Sequence, residues 1–308
     1  MKGLDLSEKY FKAYGLPLIQ DKFSSFAGRI GAGLVGDGSE CFGFDDKISR
    51  DHDWGPGFCV WLMREDFEKI SSELQEEIAR LPQIFRGHGP RQVSAWGQGR
   101  TGVFEISQFY LNFTGIDHIP GDLEEWLFIP ESSLATATNG RVFYDPPGKF
   151  SRWRERLLEF YPEDVRLKKI ASRCMTIAQS GQYNFGRSFK RGEFLAAQYS
   201  ETKFCADVIS LIFLLNKRYT PYYKWMHRAL KGLPILGEVC YARINDFVTS
   251  HDYEKKSQLI EEICALLIRE FRNQNLSDGA SGFLLDHGPL IQAKIEDGSL
   301  RERNVWVG

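Results

Sequence analysis

The sequence predicts an α+β chain, with an N-terminal domain of mixed sheet and helices over residues 1–148 and an all-α helical bundle over 149–308. Three observations predict it. Short apolar runs broken by Gly and Pro fill the first half, long runs of helical periodicity fill the second, and the change falls at a Pro-Pro-Gly break in "YDPPGKF", Tyr144 to Phe150.

The elements follow in order. "SEKYFKAYGLPLIQDKF" has the spacing of one or two helices packed on the first domain. The runs "RIGAGLVG", "GFCVWLM", "GVFEISQF" and "GRVFYDPPG" are apolar, short and bounded by Gly or Pro, as strands are. "REDFEKISSELQEEIARL" lies between the second and third of them and repeats its apolar residues at helical spacing. Beyond residue 150, "EDVRLKKIASRCMTIAQ", "SETKFCADVISLIFLLNKRY" and "KKSQLIEEICALLIREFRN" are helices. Their stops are Gly181, Thr220-Pro221, "GLP" at 232–234 and "SDG" at 277–279.

The bulk composition narrows the function. With 23 Phe, 12 Tyr and 7 Trp in 308 residues there is ample apolar material for a core. The charge is close to balanced, 39 basic against 41 acidic residues, so no nucleic-acid or membrane-surface partner is called for. The N-terminus carries no apolar leader-like run, and the longest apolar run, Val208 to Leu215, is far short of a membrane span and predicts a buried helix. The six cysteines are scattered with no Cys-x-x-Cys pair. That pattern fits reduced thiols and a cytoplasmic location better than disulfides or a zinc site.

The stretch "GDGSECFGFDDKISRDHDWG", Gly36 to Gly55, concentrates the chemistry. A strand leading into Gly36, Gly38 and Ser39 brings backbone N–H groups and one hydroxyl close to a ligand, an arrangement suited to phosphate oxygens. Six acids follow Gly36, and the last two, Asp51 and Asp53, bracket His52. On a strand, positions i and i+2 share a face, and two carboxylates held side by side repel unless a cation lies between them. Magnesium favours carboxylate and phosphate oxygens. Asp45 and Asp46 are expected to be loop residues of the spacer.

Eleven residues, Glu40 to Arg50, separate the Gly-Ser pair from Asp-His-Asp. In Gly38, Ser39, Asp51 and Asp53 at this spacing the sequence resembles the DNA polymerase beta-like nucleotidyltransferase superfamily, in a bacterial branch of it. The resemblance covers about twenty residues. It implies that the N-terminal domain is a nucleotidyltransferase domain, and that Asp51, Asp53 and a third carboxylate on a later strand are catalytic and hold two magnesium ions. Glu105, between Phe104 and Ile106, is the candidate for the third, and Asp145 its rival. It also implies an NTP donor, ATP favoured, with its triphosphate on Gly38 and Ser39. Two departures stand out: His52 occupies a position where a hydrophobic residue is usual, and "WGPG" after Asp53 implies a bulge or bend.

The helical half resembles the second domain of the small-molecule enzymes of that superfamily, such as the kanamycin and lincosamide nucleotidyltransferases. Within "QYNFGRSFKRGEFLAA", Arg187 and Lys190 are candidate phosphate-binding residues, with a solvated basic face as the alternative. The expected acceptor is a small hydroxylated molecule, with a protein or tRNA as the alternative. A non-catalytic binding or toxin-neutralising module of the same fold is the second class of reading. A His-Asp metal hydrolase built on His251-Asp252 is set aside for want of further placed ligands, and "GHGPRQVSAWGQGRTG" lacks the Gly-Lys-Ser/Thr of a P-loop.

Overall fold

Four short strands form where the four apolar runs predict them: β1 (Gly31–Leu34), β2 (Cys59–Leu62), β3 (Gly102–Glu105) and β4 (Arg141–Tyr144). The structure is a computed structural model, and it describes residues 1–50, 53–91 and 99–308. The sheet order is β3-β2-β1-β4; β1 is antiparallel to β2 and β4, and β2 is parallel to β3. Gly33 is needed at the β1–β4 pairing, because a Cβ there would lie 2.4 Å from the Arg141 carbonyl oxygen.

Alternation along β2 divides the core. Val60 and Leu62 face one layer, where they pack with Tyr10, Phe11, Ile19, Ile70 and Leu74. That layer comes from α1 (Gly3–Tyr10), α2 (Leu16–Lys22) and α3 (Arg64–Ala79). A π-helical turn, Phe11–Gly15, joins the first two helices. Pro17 has no N–H to give the preceding turn, and the ladder widens just before it. Trp61 points to the opposite face and stacks on Phe150 with ring centroids 3.6 Å apart. Phe109 meets Trp61 edge-on at 5.6 Å. This second layer is α4 (Ile106–Thr114) and α7 (Lys149–Leu158).

The remaining α-helices are α5 (Leu123–Phe128), α6 (Glu131–Ala137), α8 (Glu163–Ile177), α9 (Gly186–Lys190), α10 (Phe194–Leu215), α11 (Tyr223–Leu230), α12 (Gly237–Thr249), α13 (Tyr253–Asn273), α14 (His287–Gln292) and α15 (Gly298–Glu302), with a π-helical segment, Ala178–Phe185, between α8 and α9. The expected buried helix at Val208 to Leu215 is the C-terminal part of α10, and every one of those residues is buried. α8 is buried along most of its length despite its charges, because each buried polar group has a partner. Arg166 donates to the Leu214 carbonyl at 3.0 Å, and Lys168 to Gln292 Oε1 at 2.6 Å and the carbonyls of Arg303 and Asn304.

The chain divides into two units, residues 1–119 with 133–159, and residues 120–132 with 160–308. The sequence-based boundary at 148/149 therefore falls inside the first unit, just before α7, whose Phe150 belongs to the sheet's core. The segment 120–132 belongs with the helical unit although it precedes β4 in the chain. Among the described residues, no helix is long and apolar enough to cross a membrane.

Candidate active site

The C-terminal end of β1 lies beside the starts of β2 and β4, since Gly33 pairs with Cys59 and Leu34 with Arg141. The glycine loop leaves from this end. The Asn139 side chain clamps its first residue from both sides, accepting from Gly36 N at 2.9 Å and donating to Gly36 O at 2.8 Å. Gly38 has φ 128°, and a Cβ there would lie 2.6 Å from the Glu40 carboxylate. Both the backbone and the space thus require glycine.

Glu40 explains why the loop holds this shape. It is 2% exposed, and its Oε1 accepts from Arg91 Nη1 at 2.8 Å. The same Arg91 donates to the Asp53 carbonyl at 2.6 Å and to the Gly55 carbonyl at 3.1 Å. One buried guanidinium thus ties the Gly38–Glu40 loop to the Asp53–Gly55 segment, two stretches that the sequence keeps well apart. The Asp53 carboxylate is buried, with Arg100 Nη1 3.4 Å from its Oδ2.

Gly38, Ser39 and Asp53 are therefore brought to one end of the sheet. Asp51 and His52 lie outside the described residues. The expectation that Asp53 sits on a strand is corrected: five residues separate it from β2, and its φ is 52°, in the left-handed region. Gly55-Pro56-Gly57 is the reason, since such a run turns the chain before a ladder can form.

Asp45 and Asp46 are loop residues, as expected, with structural work. Asp45 Oδ2 accepts from Gly3 N at 2.8 Å and Trp54 Nε1 at 3.2 Å, anchoring the first helix to the loop. Asp46 Oδ1 accepts from Ile48 N and Ser49 N and starts a short turn.

Glu105 is the last residue of β3 and the N-cap of α4. Its carboxylate accepts from Ser107 N at 3.1 Å, Ser107 Oγ at 2.6 Å and Gln108 N at 2.9 Å. It closes β3 opposite Leu62, whereas Arg100, the partner of Asp53, precedes Gly102 at the start. At about 3.3 Å per residue the strand carries Glu105 away from the Asp53 end. Asp145 Oδ2 accepts from Ser151 N at 2.7 Å, near the start of α7. Among the described residues, no group of three or more His, Cys, Asp or Glu side chains is placed to hold a metal ion.

Arg187 and Lys190 lie on α9 of the second unit, both exposed. Arg187 donates to the Tyr183 hydroxyl at 2.8 Å and lies over that ring. Asp252 of the His-Asp pair is the N-cap of α13, accepting from Lys255 N.

Sequence reasoning missed Glu40, Arg91 and Arg100. The two arginines sit in the glycine-rich stretch that lacks a P-loop's Gly-Lys-Ser/Thr, and the signal in the sequence is two Arg residues among glycines that leave backbone room around them.

Residues 126–226, about a third of the chain, match a family described as a domain of unknown function, DUF4037. No curated protein matches the sequence. Among solved structures, the chain is similar to a nucleotidyltransferase-like protein from Exiguobacterium sibiricum, at 11% identity over 87% of this chain and 76% of that one. The TM-score is 0.35, too low for the likeness to carry any part of the functional reading.

Proposed function

We propose that the first unit is a metal-dependent nucleotidyltransferase that moves an NMP from an NTP, ATP favoured, to a hydroxyl acceptor and releases pyrophosphate. The observation that carries this reading is the Arg91 bridge, which holds the Gly38–Ser39 loop against the Asp53 segment. The tie runs from the Glu40 carboxylate to the Asp53 and Gly55 carbonyls, and it supports the reading because transfer chemistry needs a phosphate-binding loop and acidic residues held near one another.

Backbone N–H groups of the loop and the Ser39 hydroxyl bind the β- and γ-phosphates. Asp53 and Asp51 are the carboxylates that would hold magnesium, which when bound neutralises phosphate charge and lowers the acceptor hydroxyl's pKa. Arg100, beside Asp53, adds positive charge where the transferred phosphate sits. The acceptor oxygen attacks the α-phosphorus in line, its O–P bond forms as the bond to the β-phosphate oxygen breaks, and the acceptor proton passes to a carboxylate or water. Glu105 serves as the cap of α4 in this reading. The acceptor is a small hydroxylated molecule, with a protein or tRNA as the alternative.

Isothermal titration with ATP, GTP, CTP and UTP, with and without magnesium, tests the proposal. Magnesium-dependent binding of one nucleotide, abolished in Asp51→Asn/Asp53→Asn, is the expected result. Absence of binding by all four would overturn it and favour the non-catalytic module.

A further inference from the structure

The helical unit contains a cavity of about 510 Å³ that the transferase chemistry does not use. Its polar wall includes Glu131, Lys169, Arg173, Asp207, Ser210 and Thr220, and its apolar wall includes Phe128, Tyr223 and Met226. Every lining residue but Gly308 falls within the span 126–226 that matches the DUF4037 family.

The hydrogen bonds in this wall leave a definite imbalance. The Glu131 carboxylate is fully engaged: Oε1 accepts from Arg173 Nη2 at 3.1 Å, and Oε2 accepts from Ser210 Oγ at 2.9 Å and Thr220 Oγ1 at 2.7 Å. Arg173 also donates through Nε to Ser210 Oγ at 2.9 Å and through Nη1 to the Gly308 carbonyl at 3.1 Å. One N–H on each terminal nitrogen is left over, since a guanidinium has five. Lys169 is 4% exposed and makes one hydrogen bond, from Nζ to the Leu127 carbonyl at 2.8 Å, with the Tyr161 ring 5.0 Å away. Among the described residues no carboxylate pairs with it. Asp207 is occupied by Lys203 at 2.8 Å.

Glu131 is thus taken up by Arg173 and two hydroxyls, Lys169 is buried with no paired carboxylate among the described residues, and Lys169 holds two unused N–H donors at a cavity wall. A buried ammonium without a counter-charge is costly. An oxyanion would satisfy both deficits at once, because its oxygens accept from ammonium and guanidinium together. The cavity is larger than one such group, and the apolar wall suits the rest of a molecule.

We propose that this cavity binds a small molecule through an oxyanion, a phosphate monoester or a carboxylate, seated on Lys169 Nζ and the outer N–H groups of Arg173. The site lies within the second unit and stands independently of the transferase reading.

Titration calorimetry on the full chain at pH 7 and constant ionic strength, with inorganic phosphate and separately with malonate, tests it. Saturable binding of either is expected, weakened at least tenfold in Lys169→Met and restored in Lys169→Arg. Asp53→Asn should leave it unchanged. Phosphate alone binding identifies a phosphate monoester, malonate alone a carboxylate. Failure of both anions to bind, or equal binding by Lys169→Met, overturns the site. A tungstate soak of wild-type crystals needs no variant: an anomalous peak within hydrogen-bond distance of Lys169 Nζ supports the site, and peaks only elsewhere refute it.

Discussion

Glu40 and Arg91 are each nearly inaccessible, and each exists in that state only because of the other. Removing one side of such a pair leaves a buried charge without its counterion. Glu40→Ala is expected to destabilise the protein by about 3 kcal/mol and to abolish nucleotide binding, since the glycine loop loses its tie to Asp53. Urea denaturation and nucleotide titration check the two effects. Wild-type stability together with wild-type affinity would show that the bridge is incidental.

Lys169 gives a residue-scale prediction with a definite sign. Burial, opposed in part by Glu131 and reinforced by Arg173, pushes its ammonium down from 10.5 to about 8. Between those values the unfolded chain binds more protons than the folded one, so stability contributed at this site rises with pH from 8 to 10.5. Below pH 8 both states carry the proton and the full penalty is present. Lys169→Met should flatten this part of the stability profile. Chemical denaturation at successive pH values, wild type against variant, measures it, and an identical slope in both proteins would contradict it.

At the scale of the element, Glu105 shows how a strand end and a helix start can share one residue. In the sequence, an acid between Phe104 and Ile106 in an apolar run points to a site-facing strand residue, and glutamate is not among the favoured N-cap types. In the structure its carboxylate takes up the first N–H groups of α4. Glu105→Ala is expected to cost about 1 kcal/mol and to leave nucleotide affinity unchanged. Loss of magnesium-dependent binding in that variant would return Glu105 to the metal site. Asp53 shows the converse: two glycines around Pro56 were visible in the sequence, and they keep the acid off β2.

At the scale of the molecule, the chain passes between its two units more than once, and the break at Pro146-Pro147-Gly148 is a local turn inside the first. A fragment ending at residue 148 would lack Phe150, whose ring stacks on Trp61 at 3.6 Å. Deleting a buried phenylalanine costs about 3–5 kcal/mol. A fragment of residues 1–159 should therefore melt at a clearly higher temperature than one of residues 1–148, followed by circular dichroism. Equal melting temperatures would mean that α7 adds nothing to the sheet.

The sequence by itself determined the strands, the principal helices and the glycine loop, because alternation, helical spacing and glycine punctuation are local patterns whose physics acts within a few residues. It also placed Asp45 and Asp46 in the loop. Only the tertiary structure decided that Arg91 joins Glu40 to Asp53, that 120–132 belongs with the helices, and that Lys169 lines a cavity beside a carboxylate already in use. Those facts depend on which side chains from distant parts of the chain share the same low-dielectric space. Pairing and burial there are set by folding as a whole, and no local pattern records them.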